Sequence, residues 1–236
     1  MFKGKKILII ISARGGSRRL PHKNIAPLRS KPLISYAIAA ALASKHRDRI
    51  VISTDSPTIA RIARKCGAEA PFLRPDELAT DTAPLVPTLQ HAVRHCIGEG
   101  FRPDIVVKVS PTSPLVRPED IDGTIETLLK TRTSSCFSAC AIGERPEWMF
   151  GIRRGRPFLF LGKEEALRTR SQDLPELYRT NGAVSVVTTD VLMKQNRIYG
   201  NRPSMFIMPR ERSIDIDERI DFTMAAALMG RSHQRT

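Results

Sequence analysis

The chain has 236 residues, 41% hydrophobic and 26% charged, and its 38 Lys and Arg outnumber 24 Asp and Glu to give a formal net charge of +14. This is enough apolar material for the core of one domain, and the charge calls for an acidic partner: a nucleic acid, an anionic membrane surface or a multiply charged small substrate. No 18-residue apolar run is present, so no transmembrane helix and no membrane partner are expected.

The opening "KILIIIS" reads as a fully buried strand rather than a secretory leader, because its apolar run is short, rich in Ile and followed at once by arginines. Residues 32–44 read as a helix packed on many sides, and "RIVISTD" (49–55) as a second strand. "SPTIARIARKCG" (56–67) reads as a helix with Pro57 in its first turn and Gly67 at its end. Residues 82–100 form a third helix with Leu89, Ala92, Val93, Cys96 and Ile97 on one stripe. "DIVVKVS" (104–110) is a third core strand, 118–131 a fourth helix and "SCFSACAI" (135–142) a further strand. Apolar strands alternating with helices predict an α/β fold with a mostly parallel sheet covered by helices. From 143 to 179 the chain is rich in Arg, Pro and Gly and holds short aromatic strands, "WMFGI" and "PFLFL". That stretch reads as a β-rich arm leaving the sheet, packed on a partner subunit. "GAVSVVTTDVLMKQN" then returns as strand and helix, "SMFIMP" as a strand and "ERIDFTMAAALM" as a closing helix. The four cysteines show no zinc spacing and are expected to be reduced, mostly buried thiols in the cytoplasm. His91 and His95, four apart on a helix, read as a solvated face rather than a metal pair.

Ligands of open parallel sheets bind at the carboxyl ends of the strands. There the first strand runs into "ARGGSRRLPHKN", Ala13 to Asn24. Gly15 and Gly16 allow a sharp turn and offer backbone N–H groups to an anion. Arg14, Arg18 and Lys23 can add charge-assisted bonds to phosphate oxygens. The loop matches neither the Walker pattern nor the dinucleotide fingerprint. On these residues alone, a phosphate site and a plain basic turn stand level.

"ARGGSRRLPHKNIAPLRSKPLISYAI" resembles the opening signature of the acylneuraminate (CMP-sialic acid synthetase-like) cytidylyltransferases, with Arg18 in place of a Lys and Ser30 in place of a Gly. The resemblance continues in order through "VISTDSPTIARIARKCGAEAPFLRPDELATDT", "VSPTSPLVRPEDID", "SQDLPELYRTNGAV" and "SIDIDERIDF", and so spans nearly the whole chain. It implies a single cytidylyltransferase domain, 1–236, with a Rossmann-like nucleotidyltransferase fold and a dimerisation arm at about 143–179. The implied reaction joins CTP and an acidic sugar, giving a CMP-sugar and pyrophosphate by in-line attack of the acceptor hydroxyl on the α-phosphorus. A homodimer in the cytoplasm is implied with it.

The same resemblance assigns nucleotide contacts to Ala13, Arg14, Gly15, Ser17, Arg18, Lys23, Asn24, Arg74 and Asp81, and catalytic roles to Arg14, Lys23 and Asp217. Lys23 is the candidate for stabilising transition-state charge. Asp81 is also placed to cap the helix near Pro84. Asp215 and Asp217 alternate in an extended segment, so their carboxylates point the same way. They are either a polar face, with Asp217 a helix cap, or, as the resemblance favours, ligands for Mg²⁺ (or Mn²⁺). Asp221 suits the first turn of the last helix.

On the acceptor side the resemblance points to Ser110, Arg170, Ser171, Tyr178, Arg179, Asn181 and Ser185, with Arg179 a candidate for the sugar carboxylate. Here the chain departs from the family pattern: Ser110 stands where Gln is usual, Ser171 where Arg is usual and Ser185 where Tyr is usual. Three shorter side chains predict a roomier pocket and an acceptor other than N-acetylneuraminate: a bulkier nonulosonate, a 3-deoxy-octulosonate or a phosphonate. Two rival readings run against the residues. A nucleic-acid module lacks any matching motif and has only "RRGR" (153–156) as a dense basic run. A sugar-phosphate nucleotidyltransferase would need a G-x-G-T-R-like loop, which is missing.

Overall fold

The computed structural model describes residues 1–17, 19–162 and 164–231. Its elements, in chain order, are β1 (Ile7–Ser12), β2 (Pro27–Leu28), β3 (Lys31–Pro32), α1 (Leu33–Ala43), β4 (Arg49–Ser53), α2 (Pro57–Lys65), α3 (Leu85–Gly98), β5 (Ile105–Val109), α4 (Pro118–Thr131) and β6 (Ser135–Ala141). They continue as β7 (Phe150–Arg153), β8 (Arg156–Leu159), β9 (Tyr178–Thr188), α5 (Thr189–Lys194), β10 (Ser204–Ile207) and α6 (Arg219–Arg231). Six strands make one sheet in the order β10-β6-β9-β5-β1-β4. β1 is parallel to β4 and β5, and β10 is parallel to β6, whereas β9 runs antiparallel between β5 and β6.

Alternation along the strands splits the core between two faces. Ile9, Ile11, Ile50, Ile52, Val107 and Val109 pack under Ile34, Ile38, Ile59, Ala63, Ile121 and Ile125 of α1, α2 and α4. Leu8, Ile10, Val51 and Val106 face Leu89, Ala92, Val93 and Cys96 of α3 and Val191 and Leu192 of α5. Strands buried on both faces must be apolar at every position, which is why "ILIII" shows no alternation. Cys96, Cys136 and Cys140 are buried free thiols, and Cys66 is partly buried.

The helix ends follow local chemistry. Ser56 caps α2 by accepting from Ile59 N, with Pro57 at the first helical position. The Asp120 carboxylate folds back to accept from Arg117 N at 2.9 Å, opening α4, and also takes the Arg212 guanidinium at 2.7 Å. Residues 143–177 leave the sheet and include a separate two-stranded hairpin, β7 with β8, whereas Tyr178 and Arg179, expected within the arm, already pair with β6 as the start of β9. Ile152 and Phe160 on this arm are 80% and 65% exposed, and Phe150 is exposed too. His91 and His95 depart from the solvated face expected of them. Both rings are half-buried and pack on Phe72, with centroids 4.9 and 4.7 Å away.

Candidate active site

β4 and β5 lie on opposite sides of β1, so the chain switches direction across the sheet between β1 and β5. Loops leaving neighbouring strands diverge at such a point and leave a crevice. A cleft of about 340 Å³ lies there, lined by Ser12, Arg14, Gly16, Ser17, Lys23 and Asn24 after β1, Arg74, Thr80 and Asp81 before α3, and Lys108, Ser110 and Thr112 on and after β5. Arg14, Ser17, Lys23 and Asp217 line its continuation.

The loop after β1 is pinned by its own polar groups. Ala13 N donates to Ser53 O, and Asn24 Nδ2 donates to Arg14 O at 2.9 Å. The other amide atom of Asn24, Oδ1, is buried and accepts no hydrogen bond within the described protein. Gly15 is corrected in one respect. Its N–H is not offered to an anion but donates to Asp55 Oδ1 at 2.9 Å. A Cβ on Gly15 would come within 3.0 Å of the Ser56 Cβ, so the glycine permits close approach of loop and helix, while Gly16 has open space around it. Arg18 lies outside the described residues.

Arg14 donates to Thr80 O at 3.0 Å and pairs with Asp81 at 2.9 Å. The helix-capping role expected of Asp81 is not found, since α3 begins after Pro84 without a side-chain cap. Arg74 is almost fully buried. It donates to Ser12 Oγ at 2.8 Å and to Ser53 O and Ser53 Oγ, tying together the ends of β1 and β4. Burial lowers its pKa, with Arg14 adding to the effect. Arg74 thus forms the cleft wall as a staple whose donors are largely spent on the protein.

Across the cleft, Ile216 is buried and Asp215 and Asp217 flank it on the opposite, accessible side. Lys23 Nζ donates to Ile216 O at 2.7 Å and to Asp217 Oδ1 at 2.8 Å, holding the Asp217 carboxyl below its ordinary range. Arg19 also reaches Asp217 at 3.2 Å. Asp215 accepts from Thr112 Oγ1, which in turn contacts Ser110 Oγ at 2.9 Å. Asp217 does not cap α6 with its side chain. That work falls to Asp221, whose carboxylate accepts from Asp217 N and Glu218 N. Two hard carboxylates at the mouth of a basic cleft are a donor set that would suit a divalent cation.

The acceptor residues do not gather in one chain. Ser110 lines the cleft, and Ser185 lies beside Lys108 in the β5–β9 register. Tyr178 and Arg179 line a separate hollow with Gly143, Glu144 and Arg210 at the root of the arm. Arg170 is exposed on the arm, and Ser171 opens a short 3₁₀ turn (Ser171–Asp173) there. Asn181 needs correction as a direct contact. Its amide is buried and saturated: Oδ1 accepts from Ser138 Oγ and Ala183 N, and Nδ2 donates to Ser213 Oγ and Met208 Sδ. It holds the bulge over residues 181–184, opposite Ser138, where the pairing of β6 with β9 shifts register and Gly182 takes φ +70°.

Lys108 was missed by sequence reading. It lines the cleft from the middle of β5, donates to Gly182 O at 2.6 Å and has its pKa lowered to about 8 by desolvation, with Asp215 opposing the shift. The available signal was a lone lysine inside the apolar run "DIVVKVS".

An open, mostly parallel sheet with a basic cleft at its switch point is the arrangement of Rossmann-like nucleotidyltransferases. A solved CMP-2-keto-3-deoxy-manno-octonic acid synthetase, complexed with CTP, shares this fold with a TM-score of 0.71 at 17% identity over 96% of this chain and 99% of that one. Sequence then selects among these enzymes. The cytidylyltransferase family profile matches residues 8–228. The pseudaminic acid cytidylyltransferase of Campylobacter jejuni is 32% identical over 97% of this chain and 98% of its own length. The CMP-N,N'-diacetyllegionaminic acid synthase of Legionella pneumophila is 34% identical over 95% and 96%. The chain belongs to the cytidylyltransferase family, and it is an enzyme of CTP-dependent cytidylyl transfer.

Proposed function

We propose that the enzyme transfers the cytidylyl group of CTP to an acidic nine-carbon sugar of the pseudaminic or legionaminic type. The anomeric hydroxyl of the acceptor forms a bond to the α-phosphorus, the bond to the β-phosphate oxygen breaks, pyrophosphate leaves and the hydroxyl proton is released. Arg14, Ser17, Lys23 and the Gly16 turn hold the triphosphate, and Lys23 balances the charge that develops at the α-phosphate. Asn24 keeps the loop in place and has Oδ1 available to a ligand donor. Asp215 and Asp217 hold Mg²⁺ (or Mn²⁺), which neutralises phosphate charge and polarises the reacting phosphate when bound. The Lys23–Asp217 bond would give way as the triphosphate binds, freeing Lys23 for the nucleotide.

One observation carries the acceptor reading: Arg14, Ser17 and Lys23 line the nucleotide loop side of the cleft, while Ser110, short where the family pattern is longer, lines the β5 side and Ser185 is buried next to it, paired with Lys108. Similarity to two enzymes named for pseudaminic and N,N'-diacetyllegionaminic acid supports it at full chain length. The test measures pyrophosphate release from CTP with a panel of both acids, N-acetylneuraminate, a 3-deoxy-octulosonate and a phosphonate. The expected outcome is the highest kcat/KM with one of the first two and loss of turnover on chelation of divalent metal. N-acetylneuraminate as the best substrate overturns the reading.

The working form is a cytoplasmic homodimer, its arm at 143–179 covering a neighbour. The exposed apolar side chains Phe150, Ile152 and Phe160 support this, because a monomer rarely presents such a group together. In the dimer Arg170, Ser171, Tyr178 and Arg179 serve the acceptor end of a site.

A further inference from the structure

We propose that Lys108 is the residue that receives the acceptor's carboxylate, on the floor of the cleft, and so sets specificity for acidic sugars. The proposal rests on the acidic-sugar acceptor reading above. Lys108 is placed by the sheet itself. Along β5 and its extension, the side chains of Val106, Lys108 and the following Ser110 share one face. Val106 packs in the core under α3, while Lys108 and Ser110, nearer the carboxyl end, line the cleft. Lys108 is flanked by Ile10 of β1 and by Ser185 of β9. Lys108 is partly buried at the cleft floor, where its ammonium loses part of its hydration and feels the charge of Asp215, and charges so placed are ordinarily paired directly. Among the described residues no carboxylate lies within 4.0 Å of Lys108 Nζ, which donates to Gly182 O at 2.6 Å. An ammonium has three donors, so two remain for a ligand.

The position favours the sugar over the nucleotide. Arg14 is anchored on the α3 side through Thr80 and Asp81, and Lys23 at the mouth through Asp217. Lys108 is anchored on the β9 side, beside Ser185 and the Gly182 turn. The bulge held by Asn181 and Ser138 presents the Gly182 carbonyl that aims the ammonium. Ser110 and Ser185, both too short to bridge the cleft, leave the lysine room to meet a carboxylate. Arg179, the sequence-based candidate, lines the other hollow.

The experiment compares the wild-type enzyme with Lys108→Met and Arg179→Met, using saturating CTP and the acidic sugar the wild type uses best, then that sugar's carboxamide. Loss of a charge-assisted bond predicts a rise in acceptor KM of about 10–100-fold for Lys108→Met, with the KM for CTP unchanged within about twofold. The carboxamide should penalise the wild type by a similar factor and Lys108→Met by little more. The wild-type comparison of acid with carboxamide requires no variant to fold. An unchanged acceptor KM, a rise in the KM for CTP instead, or the carboxylate effect tracking Arg179→Met each overturns the assignment while leaving the proposed function intact. Failure of the wild type to turn over any acidic sugar overturns the proposed function and this assignment together.

Discussion

Lys23 and Asp217 lie 194 residues apart and meet at 2.8 Å. A loop cation and a carboxylate neutralise one another there, and in the proposed mechanism substrate binding separates them. Neither can be replaced cheaply. Lys23→Met and Asp217→Asn should each lower kcat for pyrophosphate release by about 10²–10³-fold, the range found when one preorganised electrostatic group is lost. A change below about tenfold in single-turnover assays would remove either residue from the chemistry. The same pair sets a pH dependence. The bond from Lys23 depresses the Asp217 carboxyl. Its stabilisation is therefore fully present above the ordinary Asp value of about 4 and is lost as pH falls through the lower folded value. Asp217→Asn should flatten the acid limb of Tm against pH below about 4. An acid limb identical to the wild type would show that the pair contributes no stability.

At the scale of elements, turns and buried pairs hold the site in shape. β2 and β3 are joined by two residues, Arg29 and Ser30, with φ of 46° and 68°. Left-handed backbone at both turn positions favours Asn or Gly, so the serine is a costlier departure from the family's glycine than its size suggests. Ser30→Gly should stabilise by about 0.5–1 kcal/mol and raise Tm by about 2–3 °C in calorimetry; a fall in Tm would contradict the turn geometry. Asp120 is fully buried and is satisfied by Arg117 N and by both nitrogens of Arg212. That bond raises the pKa of Arg212 and ties the segment before Asp215 to the start of α4. Arg212→Ala leaves a buried carboxylate half-served and should cost about 3 kcal/mol by urea unfolding. A loss below about 1 kcal/mol would show that water replaces the guanidinium.

Over the whole molecule, an excess of positive charge and an apolar arm have separate consequences. The basic groups of the cleft come from the loop after β1 (Arg14, Lys23), the segment before α3 (Arg74) and β5 itself (Lys108), so they act together only in the folded chain. The arm exposes Phe150, Ile152 and Phe160 on one excursion. If it covers a second copy, Ile152→Glu should shift the chain from dimer to monomer in sedimentation equilibrium, and acceptor turnover should fall with dissociation because Tyr178 and Arg179 sit at the arm's root. A wild-type chain that is monomeric at assay concentration, yet fully active, would refute the arm's role.

What this sequence determined alone was whatever is written locally. Continuous apolar runs specify strands buried on both faces, Ser56-Pro57 specifies a helix start, and the order of its motifs marks a cytidylyltransferase. The first two depend on neighbours a few residues apart, and the third on short local blocks kept in one order along the chain. Tertiary structure decided the rest, because it turns on contacts across the chain. Gly15 is a packing glycine only because Asp55 and Ser56 close on it, and Asn181 is a staple only because Ser138 and Ser213 surround it. Lys108 reads as a blemish in a strand until the register of three neighbouring strands carries it to the cleft. Side-chain identity gives the chemistry available; which groups face a common ligand is set by strand order and register, and those arise from burial summed over the whole sheet.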